Sequence, residues 1–149
     1  MISSRVFTNA LAAALAAGTE KPVGRGRRPD GNPDHYYILY RLPRQTDGAY
    51  YTDLNEDATI TYQVTCVSAK DVGLPASFGT QDQLEWLEDK AREVILGRHP
   101  VTRQWLHDIT APGIRVLARR ADVEAGGTSD PTDGIMSSAS RFAFDLSSI

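Results

Sequence analysis

The chain has 149 residues, of which 41% are hydrophobic and 23% charged, and its formal net charge is −3. This length and composition indicate one globular domain that buries roughly two-thirds of its unfolded surface. The negative charge argues against nonspecific nucleic-acid binding as the main function. The single cysteine, Cys66, excludes an internal disulfide, and no apolar run is long enough to cross a membrane.

The first predicted element is a short amphipathic helix over residues 2–17. Ser3 or Ser4 can cap its start, and Gly18 can end it in a left-handed conformation. A signal peptide is the alternative, but the apolar run is mostly alanine and Asn9 interrupts it. A stripe of apolar side chains should face the core: Phe7, Leu11, Ala14 and Leu15.

Residues 19–34 are rich in glycine, proline and charge, which predicts an exposed loop. This loop contains Arg25, Arg27 and Arg28 in the most basic part of the chain. The three arginines are candidate contacts to an acidic partner or to a phosphate backbone. A solvated, flexible loop is the plainer interpretation of the same composition.

A strand rich in aromatic and β-branched residues is predicted over 35–42, with Pro43 ending it. Residues 44–57 should form a long polar connection to the next strand. Tyr50 and Tyr51 lie in this connection, where they either form a small hairpin or stay exposed. Both are candidate interface residues.

The second strand, predicted over 58–68, alternates between apolar and polar residues. It should pair antiparallel with the first strand. The apolar residues of this strand should face the core. The polar residues then lie on the opposite side, where they face a pocket, solvent, a partner or a channel. That face carries Thr59, Thr61, Gln63 and Thr65.

A second helix begins at a strong capping signal, Thr80 followed by Gln83, and Gly97 ends it. Its apolar stripe leaves Trp86 roughly 130° away from the centre of the stripe. Trp86 therefore either packs against the following segment or anchors an interface. Trp105 is another candidate interface residue, in a segment that is ambiguous between a short strand and a helical turn.

Further strands are predicted over 114–123 and 141–146, with a loop over 124–138 between them. The fold class is therefore α+β: a single two-layer domain over 1–149, with a mostly antiparallel or mixed sheet of about four strands. Both helices should cover one sheet face. The other face should be polar and uncovered, with Arg115 and Arg119 beside the threonines. The remaining predicted loop covers 69–79.

The sequence contains no catalytic or metal-binding signature. His35, His99 and His107 match no metal motif, and the alternation of its strand points Cys66 inward. The acidic cluster around Asp53 lies in a hydrophilic segment that favours solvation. We expect no enzyme activity, no cofactor and no metal. A small enzyme or ligand-binding domain that uses Cys66 or a pocket around His35 stays open as an alternative.

Four stretches together resemble one known family. They are the N-terminal helix, the strand YYILYRLP (36–43), the strand ATITYQVTCVS (58–68) and the helical run QLEWLEDKAR (83–92). YQVTCV and the helical run form the most recognisable pair. The chain resembles the tail terminator proteins of long-tailed, siphovirus-type bacteriophages, particularly those that infect actinobacteria. It departs from the family pattern in a longer insertion at 69–80 and in the basic loop at 21–28.

This resemblance implies a structural protein of the virion, made in the host cytoplasm. Such proteins form a six-membered ring on the head-proximal end of the tail tube, which ends tube polymerisation. The implied partners are further copies of the chain, the tail tube protein and a head-completion or neck protein. DNA passes through the lumen without specific binding, and no membrane is involved. A neck or head–tail connector protein at an adjacent level is the alternative within the same class.

Overall fold

The computed structural model describes residues 2–31, 33–48, 56–69, 80–123, 127–130 and 135–149. None of the helices in these ranges has the length and apolar character that crossing a membrane requires. The described elements are, in chain order, α1 (Ser4–Thr19), β1 (Val23–Arg25), β2 (His35–Gly48), β3 (Glu56–Ser68), α2 (Gln81–Leu96), β4 (Ile114–Val123), β5 (Gly127–Asp130) and β6 (Ile135–Ser148).

The strands form one mixed sheet in the order β1-β2-β3-β6-β4, with the short β5 paired to β6. The β1–β2 pair is parallel, and the other pairs are antiparallel. The α+β class is confirmed, and β2 and β3 pair antiparallel as predicted. The sheet is larger than the expected four strands because β1 and β5 lie in stretches predicted as loops.

The core lies between the two helices and one face of the sheet. Phe7 of α1 packs against Tyr62 of β3 and Phe144 of β6, with ring centroids 5.9 and 5.3 Å apart. The Tyr37 hydroxyl of β2 donates a 2.7 Å hydrogen bond to the Leu87 carbonyl of α2. Full burial of a phenylalanine such as Phe7 contributes about 1.5–3 kcal/mol. Both helices therefore cover the same sheet face, as predicted.

The predicted end of β2 at Pro43 is wrong. The strand continues to Gly48, and its pairing with β3 shifts register between Arg41 and Arg44. Proline has no backbone N–H to donate to a neighbouring strand. A strand can therefore contain proline at a register shift, where the regular hydrogen-bond ladder is already interrupted. Much of the predicted connection 44–57 is consequently strand.

The predicted loops 19–34 and 124–138 are also only partly correct. Residues 23–25 form β1, and β6 begins at Ile135 rather than at 141. The early part of β6 is rich in serine, a residue without marked β propensity. It is held by the ladder to β3, in which Ser138 pairs with Cys66.

The ends of α1 and α2 were predicted with mixed success. The Ser3 and Thr80 side chains accept hydrogen bonds from the first turns of α1 and α2, as expected of caps. However, α1 passes through Gly18 and ends at Thr19, and Glu20 takes the left-handed conformation with φ 58°. Gly18 instead permits close packing, because a Cβ there would lie 2.5 Å from Cγ2 of Val94.

Candidate assembly surfaces

Thr59, Thr61, Gln63 and Thr65 are all half-buried on the sheet face that neither helix covers, as predicted. We call this surface the helix-free face. On this face, Thr59 Oγ1 donates a 2.7 Å hydrogen bond to Asp145 Oδ1. Arg120 Nη1 lies 2.5 Å from the other oxygen of the same carboxylate. A three-residue polar network therefore joins β3, β6 and β4.

This network sets the ionisation of Asp145. Burial by itself would raise the pKa of the carboxyl. The hydrogen bond from Thr59 and the ion pair with Arg120 together outweigh burial and hold the pKa of Asp145 below its ordinary value. Asp145 is consequently ionised at neutral pH.

The helix-free face carries charges of both signs. Register with neighbouring strands places Asp57, Arg115 and Arg141 on it, together with Arg120 and Asp145. The mild acidity of the chain as a whole is therefore not concentrated on this face. A contact that uses it would meet mixed charge among hydroxyl and amide groups, with a small apolar cluster around Tyr36 and Val67 at one end of the same face.

Arg119 does not lie on the helix-free face, contrary to expectation. It is 8% exposed and sits on the core side, where Nη1 donates to the carbonyls of Ile95 (3.3 Å) and His107 (2.9 Å). Burial lowers the pKa of its guanidinium. Because Ile95 is in the last turn of α2, the positive charge also complements the helix dipole. Two register shifts in β4, next to Ala118 and Val123, interrupt simple alternation along this strand.

Trp105 is tied into the molecule through stacked arginines. Its ring centroid lies 3.8 Å from the Arg98 guanidinium carbon and 4.5 Å from that of Arg119. Arg98 and Trp105 also pair as an isolated β-bridge. The half-buried ring therefore holds the connection between α2 and β4 in place. Its surroundings favour a structural role over the predicted role as an interface anchor.

The basic loop divides into separate environments. Arg27 is exposed and lies 3.8 Å from Asp30. Arg28 folds back over the Tyr36 ring, 5.3 Å from its centroid, and donates to the Pro33 carbonyl. Of these three arginines, Arg25, at the end of β1, is the one that joins arginines from other elements.

That group lines a groove of about 420 Å³ between α1 and the β1–β2 edge of the sheet. Arg5 comes from α1, Arg25 from β1 and Arg41 from β2, and all three residues are exposed. We call this site the arginine groove. Within the described ranges none of the three forms an ion pair, and Arg25 hydrogen-bonds the neutral side chain of Asn9. The other lining residues are Ser4, Thr8, Gly26, Leu39 and Tyr40.

Arg5 and Arg41 were missed at the sequence level. They stand 36 positions apart in a helix and a strand, and neither is part of a basic run. No local signal joins them to Arg25. Their meeting depends on the parallel pairing of β1 with β2 beneath α1.

Trp86 is 39% exposed on the outer side of α2, away from the apolar stripe of the helix. The ammonium groups of Lys21 and Lys90 lie 5.6 and 5.8 Å from its ring centroid. Trp86 and its neighbours line a shallow groove of about 370 Å³. Asp82, Glu85 and Asp89 also line it, and we call these four residues the Trp86 patch.

The two edges of the sheet differ. β1 pairs with β2 only at residues 37–39, so the described structure leaves the outer edge of β2 from Tyr40 to Gly48 without a partner strand. At the other edge, the two register shifts of β4 interrupt its ladder. The side chain of Leu117, beside one shift, is 56% exposed. Such irregularities hinder edge-to-edge pairing, and β2 carries one as well, between Arg41 and Arg44 around Pro43. The β2 edge is the longer unpartnered stretch, but it is not a regular template.

The residues considered for catalysis do not form a reactive site in the described structure. Cys66 is buried; burial and the negative charge of Glu88 raise its pKa to about 12, so the thiolate nucleophile is disfavoured. His35 contacts Ser68 and Asp34, at 3.4 and 3.5 Å. Over the described ranges, no three histidine, cysteine or acidic side chains converge as metal ligands. Tyr50, Tyr51 and Asp53 lie outside the described residues.

Comparison with known proteins gives a match at the level of fold. No family model matches the chain, and no curated protein matches it. Among solved structures, the chain is similar to one from the virion of a native gene transfer agent particle. The two share 12% identity with a TM-score of 0.58, and the alignment covers 96% of this chain and 92% of the other. The two chains therefore share one fold over almost their entire lengths.

Proposed function

We propose that this chain is a structural protein of a phage-type virion. The observation that carries this proposal is the shared fold with a chain of the gene transfer agent virion, which extends over nearly all of both chains. The absence of a reactive cysteine environment at Cys66 is consistent with a structural role. The charged grooves and the open edge of β2 offer surfaces for protein contacts.

More specifically, we propose that the chain is a tail terminator. In this role it forms a closed ring, of six copies by the family resemblance, on the head-proximal end of the tail tube. One ring surface meets the last tube layer, and the other meets a head-completion or neck protein. Such a ring needs different contacts on its sides, top and bottom. The arginine groove, the Trp86 patch and the helix-free face supply three surfaces of different chemistry.

In this proposal, the helix-free face lines the ring or contacts a neighbouring subunit. Thr59, Thr61, Gln63 and Thr65 present uncharged polar groups, and the nearby charges have mixed sign. A lumen of this character has no concentrated basic patch that would hold DNA phosphates during passage. The DNA therefore slides past without specific binding.

Deletion of the gene in a virion-producing strain tests the role. Electron microscopy should show filled heads beside unattached tails of irregular and excessive length. A plasmid copy of the gene should restore joined particles, and a Cys66→Ser copy should restore them equally. Tails of normal length that fail to join heads would instead assign the chain to the neck. Normal, joined virions in the deletion strain would refute a structural role.

A further inference from the structure

The arginine groove gathers positive charge that the described structure does not neutralise. Arg5, Arg25 and Arg41 line one groove, and no described carboxylate pairs with them. Like charges at close range repel one another. An anionic group that enters an unpaired cluster of arginines therefore stabilises it. Guanidinium groups bind carboxylates in bidentate geometry. The groove is therefore suited to an anionic occupant.

A protein surface fits this groove better than a nucleic acid does. The other arginines of the loop are engaged elsewhere, Arg27 by Asp30 and Arg28 by Tyr36. Of the three loop arginines only Arg25 thus joins Arg5 and Arg41, and the three form one compact cluster. Duplex DNA presents phosphates along an extended path and is bound by a basic stripe. The net charge of −3 also opposes approach of a polyanion.

The complementary surface is present on the same chain. The Trp86 patch presents Asp82, Glu85 and Asp89. None of the three belongs to an ion pair of the described ranges, although Glu85 accepts a 3.2 Å hydrogen bond from the Gln81 side chain. Two basic groups adjoin the patch: Lys21, which also lines its groove, and Lys90, whose ammonium group lies 5.8 Å from the Trp86 ring centroid. Trp86 adds a large, partly exposed aromatic ring, a residue type enriched at the energetic centres of interfaces.

We infer that the arginine groove of one copy receives the Trp86 patch of a second copy. The two surfaces are different, so the contact is heterologous and repeats from copy to copy. Repetition by a rotation that closes gives a ring. The role of this contact in a virion ring rests on the proposed function. The contact itself is tested by self-association of the purified protein, which is independent of the gene-deletion experiment.

Charge reversal on each side provides the test. One variant carries Arg25→Glu and Arg41→Glu, and the other carries Glu85→Lys and Asp89→Lys. A control carries Val101→Glu, Arg103→Glu and Gln104→Glu, which lie on exposed loop positions outside both surfaces and change the net charge by the same amount as the groove variant. Circular dichroism and thermal melts establish that all three variants fold. Sedimentation velocity then measures self-association from micromolar to millimolar protein at low salt.

We expect each groove or patch variant alone to lose association by about tenfold or more, which corresponds to about 1.4 kcal/mol. The control should associate as the wild type does. An equimolar mixture of the two variants should associate again, because a reversed groove accepts a reversed patch and a native groove accepts a native patch. Wild-type protein that stays monomeric throughout, variants that associate normally, or a mixture that fails to associate would each overturn the inference. The gene-deletion phenotype would be unaffected by any of these outcomes.

Discussion

Thr59 and Asp145 face each other across β3 and β6, and the threonine hydroxyl donates a 2.7 Å hydrogen bond to the carboxylate. The pair lies on the helix-free face, and Arg120 holds the second carboxylate oxygen. Three strands are thereby linked by side chains as well as by their backbone ladders. The polar face consequently has a defined structure of its own.

Thr59→Val should destabilise the protein by about 1–2 kcal/mol at neutral pH, because a hydrogen bond to a charged group is lost. The pKa of Asp145 is depressed in the folded state, so its contribution is present above the ordinary value of 3.8. It is lost as the pH falls through the lower folded pKa. Urea unfolding of wild type and variant at neutral and acid pH measures both effects. A difference that does not shrink in acid would contradict this assignment.

Arg119→Met should lower the free energy of unfolding by about 2–3 kcal/mol, because the buried carbonyl of Ile95 and the partly buried carbonyl of His107 lose their donor. Arg120→Met is the matched control. Its ion pair is half exposed, so about 1 kcal/mol or less should be lost. Chemical denaturation of both variants provides the measurement. Equal losses at the two neighbouring positions would argue against the core-side placement of Arg119.

Gly18→Ala should destabilise by about 1–2 kcal/mol even though alanine favours helices, since the added methyl group collides with Val94. The double variant Gly18→Ala/Val94→Ala should lose less unfolding free energy than the sum of the two single variants, because the shorter side chain at position 94 leaves space for the added methyl group. Thermal unfolding of the four proteins completes the cycle. A stabilised Gly18→Ala protein would refute the close packing of α1 on α2.

Cys66 should be unreactive in the folded protein, because it is buried and its pKa is raised to about 12. A disulfide reagent such as DTNB should label it slowly at neutral pH and completely after denaturation in guanidinium. The denatured sample serves as the control for thiol content. Rapid labelling of the native protein would revive the enzyme alternative that uses this thiol.

The two tryptophans should separate assembly from stability. Trp86→Ala removes a partly exposed ring, so the free energy of unfolding should change by less than about 1 kcal/mol. The variant should nevertheless fail to complement the deletion strain, because the ring is a proposed interface residue. Trp105→Ala removes a ring stacked on Arg98 and Arg119 and should lower stability by more. Full complementation by Trp86→Ala would remove that residue from the interface candidates.

Arg27 and Arg28, both candidate interface residues of the basic loop, differ in whether they also contact the rest of the chain. Arg27→Glu changes an exposed residue, whereas Arg28→Glu also removes the contact with Tyr36. Only the first is a clean test of whether the basic loop contacts a partner. Both positions stay candidates for assembly.

Local patterns in the sequence determined much of the framework. The capping side chains of Ser3 and Thr80 marked both helix starts, since a cap acts within one turn of the chain. The two-residue alternation of β3 separated its buried side from Thr59, Thr61, Gln63 and Thr65. Helical geometry placed Trp86 off the apolar stripe of α2, but it left open whether the ring packs against the following segment or anchors an interface.

Only the tertiary structure decided features that join residues distant in the chain. The register shift near Pro43 let β2 continue, and pairing with β2 made a strand of residues 23–25. Packing against Val94 gave Gly18 a role different from that of a helix terminator. The arginine groove arises because α1, β1 and β2 bring Arg5, Arg25 and Arg41 together. Propensity and periodicity act between near neighbours, whereas these contacts depend on how whole elements pair and pack.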